Sequence, residues 1–194
     1  MEIDCQLYKY IKVFTNLVPE SVLDNLTKIC KESPHFKQAA VIGDDSKNVL
    51  DEKIRKTFFW PMENTGEKSL TNIHWTNLLH HLFTKTIEEY QISLGVEEIF
   101  SVSEIQILKY NVGGFYKFHV DNAISVPRTY SGIFFINDDY EGGDLVFKFP
   151  GGDKKYKIKS QKNCMVIWPS NFLYPHSVLP VTKGERYSVV AWAR

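Results

Sequence analysis

The sequence predicts an α+β fold: two helices in the N-terminal half, packed on one sheet of a β-sandwich of the jelly-roll kind. Three observations lead there. Helical spacing of apolar residues is confined to the first 95 positions. Everything after Gly95 breaks into short β-type runs separated by GG, DD, PGG, PSN and KGE turns. Aromatic residues make up 14% of the chain, with ten Tyr and thirteen Phe, and much of that share falls in those runs.

In chain order, residues 7–17 (LYKYIKVFTNL) read as a strand. Pro19 then opens a helix to about residue 32, with Val22, Leu23, Leu26, Ile29 and Cys30 at helical spacing and Pro34 just beyond. Residues 43–53 are polar and read as a mobile loop. IRKTFFW (54–60) reads as a strand stopped by Pro61. A second helix fits 71–94, with Leu78, Leu79, Leu82 and Ile87 on its apolar face and Gly95 as its stop. Eight runs follow, at 102–110, 115–120, 131–137, 144–149, 156–159, 164–168, 174–181 and 186–193. Many short strands with frequent turns fit a double sheet.

With 194 residues and no internal repeat, the simplest organisation is one domain over 1–194: 1–100 as helical and strand support, 101–194 as the catalytic half. Lys plus Arg equals Asp plus Glu at 23 each, so the net charge is zero and no basic stripe speaks for a nucleic-acid partner. The cluster Lys154, Lys155, Lys157, Lys159 and Lys162 reads as a solvated sheet edge. Cys5, Cys30 and Cys164 offer neither zinc spacing nor a disulfide framework. No apolar run has signal-peptide or membrane-spanning length, so the expected location is cytoplasmic, with no membrane association.

The chemistry is concentrated in few residues. In His119-Val120-Asp121, alternation along a strand turns His and Asp to one face. A second histidine, His176, follows in YPHSV. Two histidines and one carboxylate on one face of an octahedral ion form the ligand set of non-haem Fe(II) oxygenases. Arg186, ten residues after His176, offers a planar fork suited to a carboxylate, and Ser188 falls on its face. His80-His81 reads as helix surface, and His35 and His74 carry no signal. Gly113-Gly114 and Gly142-Gly143 lack the spacing of nucleotide loops and read as turns.

The stretches YNVGGFYKFHVDN, YSGIFFINDDYEGGDLVF and WPSNFLYPHSVLPVTKGERYSVVAW resemble the catalytic half of the prolyl 4-hydroxylase family of Fe(II)/2-oxoglutarate-dependent oxygenases. The resemblance covers 104–194 well, and extends more loosely to the N-terminal helices and an Arg-x-Thr run at Arg55. It implies a double-stranded β-helix core with His119, Asp121 and His176 on Fe(II) and Arg186 on the outer carboxylate of 2-oxoglutarate. Tyr110 would hydrogen-bond that cosubstrate, whereas Phe135 stands where related enzymes can carry Tyr. Implied with these are O2 as oxidant, ascorbate (vitamin C) as reductant, and hydroxylation of a C–H bond coupled to decarboxylation of 2-oxoglutarate.

Phe115, Phe118, Phe134, Phe147 and Trp168 are candidate pocket walls, and Arg128 and Trp192 candidate substrate contacts, with Trp192 sharing a strand face with Arg186. The expected substrate is a proline-containing protein or peptide. Alternatives are a free amino acid or other small molecule, or a non-catalytic binding module on the same fold.

Overall fold

A computed structural model describes residues 6–42, 48–62 and 69–194. The chain opens with a 3-10 turn at Leu7–Tyr10 and then strand β1 at Lys12–Thr15. The expected strand over 7–17 is thus only its second half. The carbonyls of the first half go elsewhere: Tyr174 Oη donates to Leu7 O (3.3 Å) and Tyr90 Oη to Tyr10 O (2.8 Å). Helix α1, Glu20–Glu32, begins directly after Pro19 and buries Leu23, Leu26 and Cys30.

Short strands β2 (Lys37–Gln38), β3 (Val41–Ile42) and β4 (Asn48–Val49) follow, the last two paired with each other. Of the loop expected at 43–53, residues 43–47 lie outside the described residues, 48–49 are strand, and the chain turns at Asp51. The run 54–60 is two strands: β5 (Arg55–Lys56) and β6 (Phe58–Pro61), the second ending on Pro61 rather than before it.

Helix α2, Leu70–Leu94, starts at Ser69, whose Oγ accepts from Asn72 N–H. It ends at Gly95 in the left-handed region (φ 65°), where glycine carries no Cβ penalty. Of the four residues expected on its apolar face, Leu79, Leu82 and Ile87 are buried and Leu78 is half-buried, and the buried stripe adds Trp75, Phe83 and Tyr90. Phe83 lies over Gly132, where a Cβ would stand 2.8 Å from the ring. His80 and His81 are exposed, as expected.

The remaining strands are β7 (Val102–Tyr110), β8 (Phe115–His119), β9 (Tyr130–Phe135), β10 (Glu141–Gly142), β11 (Leu145–Lys148), β12 (Lys155–Ile158), β13 (Cys164–Pro169), β14 (His176–Val178), β15 (Val181–Lys183) and β16 (Arg186–Ala193). The single run expected at 174–181 is divided at Leu179-Pro180, since Pro has no N–H for a ladder; beyond it, β15 pairs with β10. Two sheets carry the fold: seven strands in the order β1-β13-β9-β16-β7-β6-β2, and five in the order β12-β11-β14-β8-β5. Every pairing within them is antiparallel. The architecture is the α+β double-stranded β-helix (jelly-roll) expected. Lys155 and Lys157 sit on the edge strand β12, and Lys157 pairs with Asp144 at 2.7 Å.

The large sheet has a core on each face. Ile105, Ile107, Phe134, Met165, Ile167, Tyr187, Val189 and Ala191 pack with the helices. Leu108, Tyr110, Ile133, Phe135, Val166, Trp168 and Val190 pack toward the small sheet with Leu145, Phe147 and Val178. Cys30 and Cys164 are both free thiols and buried; burial pushes the Cys30 thiol up to about 12, so it stays protonated and inert. Among the described residues no helix is long and apolar enough to cross a membrane.

Candidate active site

His119, Asp121 and His176 come together between the sheets, with donor atoms all within 4.8 Å of one another. His119 ends β8 and lies opposite His176, the first residue of β14. Asp121 is not on the strand, as the spacing had suggested, but two residues past its end. Its carboxylate is held from β9 instead: Ser131 Oγ donates to Asp121 Oδ2 (2.7 Å), and Ser170 Oγ lies 2.7 Å from Ser131 Oγ. A hydroxyl has one proton, so Ser131 gives its proton to the carboxylate and accepts from Ser170.

Each carboxylate oxygen faces one imidazole. Asp121 Oδ1 is 3.5 Å from His119 Nε2, and Asp121 Oδ2 is 3.5 Å from His176 Nε2. The other ring nitrogens are engaged with main-chain carbonyls: His119 Nδ1 with Lys117 O (2.9 Å) and His176 Nδ1 with Tyr174 O (3.1 Å). A carbonyl only accepts, so both Nδ1 atoms carry the proton and both Nε2 lone pairs point at the shared space. Burial raises the Asp121 carboxyl, but His176, His119 and the Ser131 hydroxyl outweigh it and hold the group well below the usual carboxylate range. Burial pushes His176 down to about 4, with Asp121 offsetting part of the effect. An ionised carboxylate beside neutral imidazoles is the protonation state a metal ion requires. The donor set therefore fits Fe(II) as two histidines and one carboxylate on one side of an ion.

His176 is packed against Trp168 (ring centroids 4.9 Å, near-perpendicular) and Phe147 (5.7 Å). His119 stacks on Tyr116 at 3.6 Å. That stack depends on an irregularity: β14 advances two residues, His176 to Val178, while β8 advances three, His119 to Tyr116. The extra residue brings Tyr116 and His119 to one face and turns Phe118 outward, 41% exposed. Of the aromatic walls expected, only Trp168 lines the cavity: Phe134 belongs to the helix side, Phe147 lies behind His176, and Phe115 and Phe118 do not reach it.

The cavity beside the triad has a volume of about 640 Å³. Tyr110, Leu145, Ile133 and Val178 line it on the inner side, Arg128 and Trp192 on another, and Arg55 forms a further wall with the segment 37–41, for which the sequence carries no signal. Arg186 is fully buried beside Tyr110 and Phe135, its guanidinium carbon 4.9 and 5.2 Å from their ring centres. Arg186 Nη1 donates to Ser188 Oγ at 3.0 Å, while Nε and Nη2 have no partner among the described residues. A buried guanidinium with two idle donors fits an anionic ligand, and a dicarboxylate cosubstrate supplies one. Gly143 makes room for it: a Cβ there would stand 2.8 Å from Arg186 Cδ.

Arg128 is held tightly. Its Nη2 pairs with Glu104 Oε2, its Nη1 reaches Asp121 O (3.3 Å), and its guanidinium lies 3.7 Å above the Trp192 ring centre. Glu104 is a second residue that sequence reasoning missed. It sits at a bulge where β7 takes three steps (Gln106 to Ser103) against two on β16, with its backbone in the left-handed region (φ 55°).

Residues 105–194 match the model of the 2OG-Fe(II) oxygenase superfamily. A PKHD-type hydroxylase of Pseudomonas fluorescens is 35% identical over 95 residues, covering 44% of this chain and 40% of that protein. The chain thus spans about 40% of the length of the curated relatives it matches. Among solved structures, a Pseudomonas putida prolyl-4-hydroxylase superposes with a TM-score of 0.68 at 22% identity, over 95% of this chain and 92% of the other. A Trichoplax adhaerens prolyl hydroxylase, solved with a hypoxia inducible factor oxygen degradation domain peptide fragment, gives 0.73 at 20% identity over 95% and 83%. The likeness to prolyl hydroxylase-like 2OG-Fe(II) oxygenases therefore holds over the C-terminal half in sequence and over nearly the whole chain in fold.

Proposed function

We propose that this chain, whose residues 105–194 match the 2OG-Fe(II) oxygenase superfamily, is an Fe(II)- and 2-oxoglutarate-dependent dioxygenase that hydroxylates prolyl residues of a protein or peptide. The observation that carries the reading is the pairing of a His-Asp-His set, both Nε2 lone pairs aimed inward, with a buried arginine that lacks an anion. His119, Asp121 and His176 would hold the iron, and Arg186 with Tyr110 would bind 2-oxoglutarate. When bound, the iron and its cosubstrate supply the oxidising chemistry by which 2-oxoglutarate and O2 give succinate, CO2 and a hydroxylated C–H bond.

The remaining work falls to the chain itself. Ser131 fixes the Asp121 carboxylate, so its oxygens need no reorganisation when an ion arrives. Trp168 and Phe147 fix the His176 ring and keep water from its faces. Arg128 and Trp192, with Glu104 behind them, form a rigid side of the cavity against which a substrate is positioned. In this reading residues 1–100 support the large sheet and 101–194 carry the chemistry. A second reading, hydroxylation of a free amino acid, is favoured by the cavity size, about 640 Å³, which falls among small-molecule sites.

The test is succinate formation with Fe(II), ascorbate and 2-oxoglutarate, with and without a panel of proline-containing peptides, with His176→Ala as control. Peptide-stimulated succinate with a mass gain of one oxygen on the peptide is the expected result. Stimulation by free amino acids alone moves the assignment to the second reading. No succinate under any condition, with iron bound, leaves a non-catalytic binding module. Arg186→Ala should raise the 2-oxoglutarate concentration required while iron still binds.

A further inference from the structure

We propose that Arg55 recognises a carboxylate on the substrate, held against the 37–41 wall of the cavity next to the reacting carbon. The inference rests on the oxygenase reading and adds to it the chemistry of the substrate. Three arginines stand around the site, and they differ in what they already bind. Arg128 has Glu104 as counter-ion, a main-chain carbonyl and an aromatic face, so its charge is spent inside the protein. Arg186 lies fully buried among residues assigned to the cosubstrate. Arg55 is left over.

Arg55 lines the cavity, yet among the described residues no carboxylate lies within ion-pair distance of it. The one hydrogen bond of its guanidinium among the described residues, Nη1 to Ala40 O, is long at 3.3 Å, and its buried Nε has no partner there. The guanidinium is nevertheless held in place, 4.7 Å above the Tyr116 ring centre, and Tyr116 stacks on His119. Lys37 lines the same wall. Once the Arg128–Glu104 pair is set aside and Asp121 is given to the metal, the charge remaining on the cavity lining is positive and concentrated on Arg55 and Lys37. A planar fork with an idle donor, fixed by a ring, is suited to a carboxylate.

The Arg55–Tyr116–His119 stack sets the distance. Only one ring, that of Tyr116, separates the guanidinium from a candidate iron ligand, so the carboxylate sits within a residue or two of the carbon attacked. It is supplied either by an Asp or Glu side chain flanking a prolyl residue or by the α-carboxylate of a free or C-terminal amino acid.

The test measures equilibrium binding of four probes to the iron-loaded protein under anaerobic conditions with 2-oxoglutarate: a capped Pro-Glu peptide, its Pro-Gln twin, free proline and prolinamide. The wild type should bind the carboxylate member of one pair about tenfold tighter, as one charge-assisted contact implies. The Glu/Gln pair reports a side-chain carboxylate and the proline/prolinamide pair an α-carboxylate. Arg55→Gln should bring the preference to near one, and Arg55→Lys should retain part of it. Equal affinities within both pairs in the wild type overturn the inference without any variant. A preference that survives Arg55→Gln removes Arg55 from the role. If the preference follows Arg55 but the wild type forms no succinate with any probe, the carboxylate site stands and the oxygenase reading fails.

Discussion

Along β16, Tyr187, Val189, Ala191 and Ala193 lie under the helices, whereas Arg186, Ser188, Val190 and Trp192 face the second sheet. The two sets share a backbone and differ in almost everything else. The helix side is apolar and closed, with Ile107, Phe134, Met165 and Val189 essentially inaccessible. The inner side carries a fully buried arginine with two idle donors, two serines bonded to one another beside a carboxylate, and a cavity. Unsatisfied polar groups of this kind cost stability. The comparison shows how the fold accommodates them: each strand of the large sheet that carries a site residue on one face is anchored on the other by a dry core.

That division is open to attack from either side. The largest effect is expected from His176→Ala, which should lower Fe(II) affinity by more than about 100-fold, beyond the range for changes at residues that only orient a ligand. Without metal its thermal midpoint should fall by a few degrees, because the lost ring leaves a cavity against Trp168 and Phe147 while the helix-side packing is untouched. Phe134→Ala is the mirror experiment. It should cost about 3–5 kcal/mol in urea unfolding as a large-to-small change in a full core, yet leave the metal affinity of the folded fraction within a factor of two or so. A large loss of affinity there would break the comparison.

Ser131→Ala lies on the boundary, on β9 beside helix-facing Gly132. Metal affinity should fall by about 10–100-fold while stability changes by about 1 kcal/mol, which metal titration and urea unfolding read separately. The smallest effect sharpens the contrast by its sign. Arg186→Met removes a buried charge that has no counter-ion among the described residues, so the protein free of cosubstrate should gain about 1 kcal/mol in stability. In exchange, added 2-oxoglutarate should no longer raise its melting temperature.

Much of this is legible in the amino-acid sequence. Two helices and a train of short strands follow from where apolar periodicity changes from helical to alternating, and the shared face of Arg186, Ser188 and Trp192 follows from parity along one uninterrupted strand. Parity fails where strands are irregular. Tyr116 and His119 differ by three positions and share a face only because of the extra residue in β8. Glu104 reaches Arg128 from a bulge in β7. No local pattern encodes such shifts, which exist only against a partner strand.

Phe134 was misplaced for a related reason. All six residues of β9 are buried, so no alternation marks which aromatic faces the cavity. Ser131 was overlooked because its partner lies ten positions away on a loop, and the contact is created by the turn between them.

One short stretch bears on how this molecule breathes. Residues Arg55–Lys56 pair with β8 in the small sheet, Phe58–Pro61 pair with β7 in the large one, and buried Thr57 between them donates its hydroxyl to Lys109 O at 2.9 Å. A single thread thus stitches both walls together at one end of the sandwich. Any widening that parts the sheets there must tear one of these two ladders or expose Thr57, so this end of the sandwich resists opening. Amide exchange should then be slow in both ladders and at Ala39, whose N–H is given to Thr57 O at 2.9 Å.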